Sequence, residues 1–299
     1  MSQETAWTQF GWQGIAFEQP ADWNISVVEG DHRTGYVRLD DDMMVRMELR
    51  WEKPRRPADV ATIVQRYLDK LERAARKAGQ ELTVRRHLRL VDLPGKDCEY
   101  LSTESDVHAL ALASRCQSCN RLVLARLLFR KGEKIKPVAQ RLFSTFDDHP
   151  RDGKSAWGLY GLTFAVPEAF VLAKSALKTG YLELLFHSGR EELEVIRYSM
   201  ANVLLKSQPL ADWFKRTYEK KLALFRCEVH AESENGHDRV RCFGPAKRRS
   251  ILSALRRRRF LHCLAWRCRE ADKLFIFRLV SSQERDERFE QFSRSVACH

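Results

Sequence analysis

The chain is 299 residues long, 44% hydrophobic and 31% charged, a balance that suits a globular protein with room for two domains. No stretch approaches the roughly 20 apolar residues of a membrane-spanning helix, and eight cysteines are too few for a disulfide-built scaffold. The net charge of +12 is uneven: residues 1–152 carry 25 basic and 23 acidic side chains, which leaves 27 and 17 for residues 153–299.

The opening residues, Met1-Ser2-Gln3-Glu4-Thr5, show no basic start before an apolar core, so a cytoplasmic location with reduced thiols is expected. Pro20 belongs in a turn or at a strand edge, because it cannot donate to a sheet ladder. Residues 23–27 and 36–39 alternate apolar with polar. Asp40, Asp41 and Asp42 form a solvated turn before residues 44–51, where Val45, Met47, Leu49 and Trp51 share one face. These segments predict an antiparallel meander with one wet side.

Pro57 marks the opening of a helix whose apolar stripe is Val60, Val64, Tyr67, Leu71, Ala74 and Ala78, with Gly79 placed to end it. Short strands are expected around residues 82–84, 87–91, 98–101 and 108–112. A turn at Cys116-Gln117-Ser118-Cys119 then leads into 122–129 as a hairpin. A helix over 134–146 puts Val138, Leu142 and Phe146 on one face. The polar run 147–154, holding Pro150 and Gly153, reads as a linker.

The second half repeats this plan. Arg115, Cys116, Leu122, Arg126 and Leu127 recur at constant spacing as Arg267, Cys268, Leu274, Arg278 and Leu279. Thr179-Gly180-Tyr181 answers Thr34-Gly35-Tyr36. Pro209 opens the matching helix, with Leu210, Phe214, Tyr218, Leu222 and Phe225 on its face. The expected architecture is therefore α+β: two tandem copies, residues 1–150 and 151–299, of an antiparallel sheet domain flanked by helices. Phe17, Pro20 and Trp23, with Phe164, Pro167 and Phe170, give each half an aromatic–Pro–aromatic opening that resembles the PsbP-like family. That family comprises antiparallel sheets between helices. It includes a photosystem II subunit and a nuclear-transport adaptor, so the resemblance implies a non-enzymatic binding or adaptor role. No functional residue carries over from it.

Four chemistries are candidates. Cys116 and Cys119 can grip one Zn²⁺ from a hairpin turn, with Asn120 in the left-handed conformation such knuckles need, and Cys98 and His108 are the nearest further donors by element order. The same pair could form a redox disulfide, or be two ordinary cysteines in a turn. Lys247, Arg248, Arg249, Arg256, Arg257, Arg258 and Arg259 could neutralise the phosphates of a nucleic acid or another polyanion, or lie on the wet face of a hairpin. His108, His237 and His262 are general-base candidates only as any histidine is, and a histidine in a strand is more often structural. Gly-rich phosphate loops, Gly-x-Ser-x-Gly and His-Glu-x-x-His are absent from the sequence. The leading expectation is a non-enzymatic protein-binding adaptor without a cofactor. The alternatives are polyanion binding through the basic second half, and a metal- or thiol-dependent activity at the cysteine turn.

Overall fold

Strands begin earlier in this chain than its sequence suggests. Trp7–Trp12 (β1) and Ile15–Pro20 (β2) pair through a two-residue turn in which Gln13 and Gly14 both have positive φ, 53° and 79°. This is the turn whose twist suits a hairpin, but its usual signature is Asn-Gly or Asp-Gly. Gln-Gly hid it. Lys154–Leu159 (β10) and Leu162–Pro167 (β11) flank the same kind of turn, with Tyr160 at φ 51° and Gly161 at 75°. The computed structural model describes residues 6–149, 152–234, 236–247 and 258–297. The four strands form one sheet in the order β11-β10-β1-β2, with Gly11 opposite Gly158. A Cβ on Gly11 would lie 2.7 Å from the Ala156 carbonyl, so only glycine allows this approach.

The chain divides into two compact units, Met1–Thr163 and Phe164–His299, and the division falls within β11. In the first unit Asn24–Gly30 (β3), Thr34–Asp40 (β4) and Val45–Glu52 (β5) form the expected meander. Val60–Ala78 (α1) follows, then Thr83–Leu88 (β6), Lys96–Glu104 (β7), His108–Cys116 (β8), Leu122–Phe129 (β9) and Ile135–Ser144 (α2). Asp59, not Pro57, caps α1 by accepting from the Ala61 amide, and Gly79 ends it in the left-handed conformation at φ 67°. The stripe that α1 buries is Val60, Val64, Tyr67, Leu68 and Ala75, while Ala74 and Ala78 are exposed.

The second unit contains Val171–Lys178 (β12), Tyr181–Ser188 (β13), Glu191–Ser199 (β14), Ala201–Leu205 (α3) and Leu210–Leu222 (α4). Glu228–Glu234 (β15), His237–Pro245 (β16), Phe260–Cys268 (β17), Lys273–Ser281 (β18) and Glu287–Arg294 (α5) complete it. The first seven-stranded sheet runs β3-β4-β5-β9-β8-β7-β6 and the second β12-β13-β14-β18-β17-β16-β15, the same connection order.

The expected α+β class is thereby corrected. Among the described residues the fold is mostly antiparallel sheet, 51% strand against 20% helix, in three sheets. Eighteen strands stand against five helices among the described residues, so sheet and not helix layers makes up most of the fold. The α+β reading also lacked the hairpins that build the third sheet. No helix among the described residues is long and apolar enough to cross a membrane.

Candidate functional site

The β8–β9 hairpin carries the cysteine turn. The Cys116 amide donates to the Arg121 carbonyl (2.9 Å), and the Asn120 amide donates to the Cys116 carbonyl (3.0 Å). Asn120 takes φ 57°, the left-handed conformation expected for it. Both cysteines are free thiols: Cys116 is buried and Cys119 half-buried. Burial pushes the Cys119 thiol up, while the Arg121 amide, aimed at its sulfur, opposes the rise.

The donors that join this pair are not those expected. His108 stands at the far end of β8, beside the Phe129 ring (5.7 Å between centroids). Eight residues along one strand separate it from Cys116, on the order of 27 Å at about 3.3–3.4 Å per residue. Cys98 is exposed on β7, opposite Ser114. Instead Asp148 and His149 arrive from the segment after α2, and one ligand atom from each of Cys116, Cys119, Asp148 and His149 lies within 4.8 Å of the others. His149 Nδ1 is 3.4 Å from Cys116 Sγ and 3.2 Å from Asp148 Oδ1.

The run expected to be a linker is thus partly folded. Asp147 bridges to Ala16 of β2, exchanging two backbone hydrogen bonds of 2.9 and 2.8 Å. Asp148 is fully buried, and Arg121 anchors its backbone. The Arg121 guanidinium donates to the carbonyls of Asp148 (2.7 Å), Gln13 (3.0 Å) and His32 (2.9 Å). Burial lowers the Arg121 pKa, and Cys119 and Asp148 oppose that shift. The Lys96 ammonium, itself almost wholly buried, contacts the Asp148 carboxylate and lies 3.7 Å from Asp147 Oδ1. Asp148 Oδ2 is buried with no hydrogen-bond partner. A signal for this strap was present in the sequence. His149 and His299 follow Cys116 and Cys268 at nearly the same distance, although Cys298 and His299 lie outside the described residues.

This arrangement is not that of a thiol nucleophile. In a nucleophile–base–acid relay the imidazole uses one nitrogen for each partner. Here the sulfur and the carboxylate both meet Nδ1, and Cys116 is only 1% exposed.

A second feature of the first unit is a groove of about 450 Å³ between α1 and the β5–β9 part of the sheet. Ile63, Tyr67 and Leu71 form its helix wall, Leu124 lies on its floor, and Arg50, Arg66, Lys70 and Glu52 surround it. Glu48 accepts from Arg126 (2.7 Å) and from the Tyr36 hydroxyl (2.8 Å), while Arg50 lies over the Tyr36 ring at 4.5 Å. Burial, and then the Glu48 carboxylate, push the Tyr36 phenol up to about 12.

In the second unit the same position is filled. Glu194 and Arg278 reproduce the Glu48–Arg126 ion pair (Nε–Oε2 2.8 Å), but Ile196 and Tyr198 stand where the first unit has Arg50 and Glu52. Trp213, Phe214 and Tyr218 of α4, with Ala201 and Leu205 of α3, pack with Ile196 into one core.

The basic run is described only at its ends. Lys247 is exposed just after β16, where its amide donates to the Leu224 carbonyl (2.8 Å). Arg258 and Arg259 are exposed just before β17, and Arg248, Arg249, Arg256 and Arg257 lie outside the described residues. His237 Nδ1 contacts the Arg267 carbonyl (3.2 Å) and His262 Nε2 the Gln283 carbonyl (3.0 Å), positions that suit structural histidines.

No protein-family model matches the chain, so the PsbP-like resemblance rests on the residues that suggested it. No curated protein matches it either. Among solved structures, the immunity protein TplEi of the T6SS from Pseudomonas aeruginosa, complexed with "L" peptide, aligns at 13% identity over 99% of each chain, with a TM-score of 0.33. The WD40 domain of SCAP from fission yeast aligns at 7% identity over 91% of this chain and 80% of that one, with a TM-score of 0.15. Neither superposition is close enough to show a shared fold.

Proposed function

We propose that this chain is a non-enzymatic binding protein, and that its first unit grips an extended segment of a protein partner in the groove beside α1. The observation that carries this reading is the contrast between the two units. Two sheets of the same strand order hold the same Glu–Arg pair, yet one builds a closed aromatic core over it and the other leaves a charged-rimmed cleft. A core position given to Arg50 and Glu52 forgoes the roughly 1.5–3 kcal/mol that burying a large apolar side chain contributes. A function for the open cleft accounts for that concession. The rim carries Arg50, Arg66, Lys70 and Arg126 against Glu48 and Glu52, which favours a segment with apolar side chains and acidic flanks. The shared strand order also supports reading the two halves as copies of one domain.

The test is affinity capture with the wild-type chain and with Ile63→Arg/Leu71→Arg, both positions being half-buried walls of the groove. The partner retained by the wild type should bind the variant at least about tenfold more weakly, a loss of roughly 1.4 kcal/mol. Circular dichroism should show the variant still folded. Equal retention by a folded variant would move the binding surface elsewhere.

A further inference from the structure

The geometry points to a structural zinc site: we propose that Cys116, Cys119, Asp148 and His149 together bind one Zn²⁺. The donor set is two sulfurs, an imidazole nitrogen and a carboxylate oxygen. That is the soft-to-borderline mixture zinc takes, and one that calcium and magnesium, which prefer oxygen alone, do not. Distances agree. A tetrahedron with Zn–S of about 2.3 Å and Zn–N or Zn–O of about 2.0–2.2 Å has edges of about 3.3–3.8 Å. The Cys116 Sγ–His149 Nδ1 separation of 3.4 Å is close to such an edge, and all four donors lie within 4.8 Å of one another.

The surroundings are consistent with a bound cation. Asp148 Oδ2 is buried without a partner, a costly state for a carboxylate oxygen unless something not yet counted satisfies it. Two thiolates and a carboxylate around Zn²⁺ leave one net negative charge, and the buried Lys96 ammonium lies against it. Loading the site releases the two thiol protons to solvent. With four protein ligands, two of them fully buried, no position remains open for water or substrate, so the ion would be structural and not catalytic. It would tie the β8–β9 turn to the strap that Asp147 pins on β2, joining two sheets of the first unit through one ion.

The experiment is metal analysis of the full chain purified without chelator, together with cobalt substitution. The wild type should contain about one zinc per chain. Its cobalt form should show the ligand-field bands of a tetrahedral ion and a thiolate charge-transfer band. Cys119→Ser and His149→Ala should each lose at least about nine-tenths of the metal, whereas Cys98→Ser and His108→Ala should keep it. If Cys119→Ser fails to fold, the wild-type cobalt spectrum still decides the question, since it requires no variant. A folded wild type without zinc that develops no charge-transfer band, one that carries a Cys116–Cys119 disulfide instead, or zinc that persists unchanged in folded Cys119→Ser and His149→Ala would overturn the proposal.

Discussion

At the scale of single residues, Arg121 does more than its neighbours in the cysteine turn. Arg121 is 7% exposed, and its guanidinium serves three carbonyls from segments far apart in the chain. Planar, forked donors can do this; the single ammonium of lysine cannot reach all three. Arg121→Ala should therefore destabilise the first unit by about 2 kcal/mol or more, since the Gln13 and Asp148 carbonyls are buried and each, left without a donor, costs about 1–3 kcal/mol. Arg121→Lys should recover only part of that. Urea midpoints would measure both, and a loss under about 1 kcal/mol for Arg121→Ala would show that water replaces the guanidinium.

At the scale of elements, β14, β18 and α4 are joined by Glu194, which lies between Arg278 and Lys221 and is 3% exposed. Burial by itself would raise the Glu194 carboxyl, but Arg278 and Lys221 outweigh it and hold the group below its ordinary value of 4.5. A depressed carboxylate contributes stability that is fully present above its unfolded pKa and is lost as pH falls through the lower folded value. Arg288 likewise outweighs the burial of Glu191 and Asp286 in the same unit. The second unit should accordingly be stable near neutrality and weaken progressively below about pH 4.5. Denaturant titrations between pH 7 and pH 3 should show a shallower acid limb in Glu194→Gln than in the wild type. Parallel acid limbs would mean that Glu194 titrates alike in the folded and unfolded chains.

At the scale of the whole molecule, the first unit ends at Thr163 and not at the polar run near residue 150. Its strand β1 pairs with β10, and Trp12 meets Trp157 edge-on at 5.2 Å. A fragment of residues 1–150 would expose the β1 edge and lose the Trp157 contact, so it should aggregate or melt earlier than a fragment of residues 1–163. Thermal melts of the two fragments compare them directly. Equal melting temperatures would show that β10 adds nothing to the first unit.

Sequence by itself determined the features set by neighbours in the chain. Alternation over 44–51 identified β5, because the period of two is a property of the strand itself. Gly79 ended α1, and Asn120 took its left-handed turn, because those conformations depend on local sterics. Tertiary structure alone decided what those elements meet. Asp147 pairs with β2 and thereby holds Asp148 and His149 beside Cys116, a meeting that the recurring Cys-to-His spacing does not by itself specify. The groove likewise depends on Arg50 and Glu52 facing α1, where Ile196 and Tyr198 in the second unit close a core. Periodicity names a face but not its cover, since the energy of burial belongs to the pair of surfaces and not to either one.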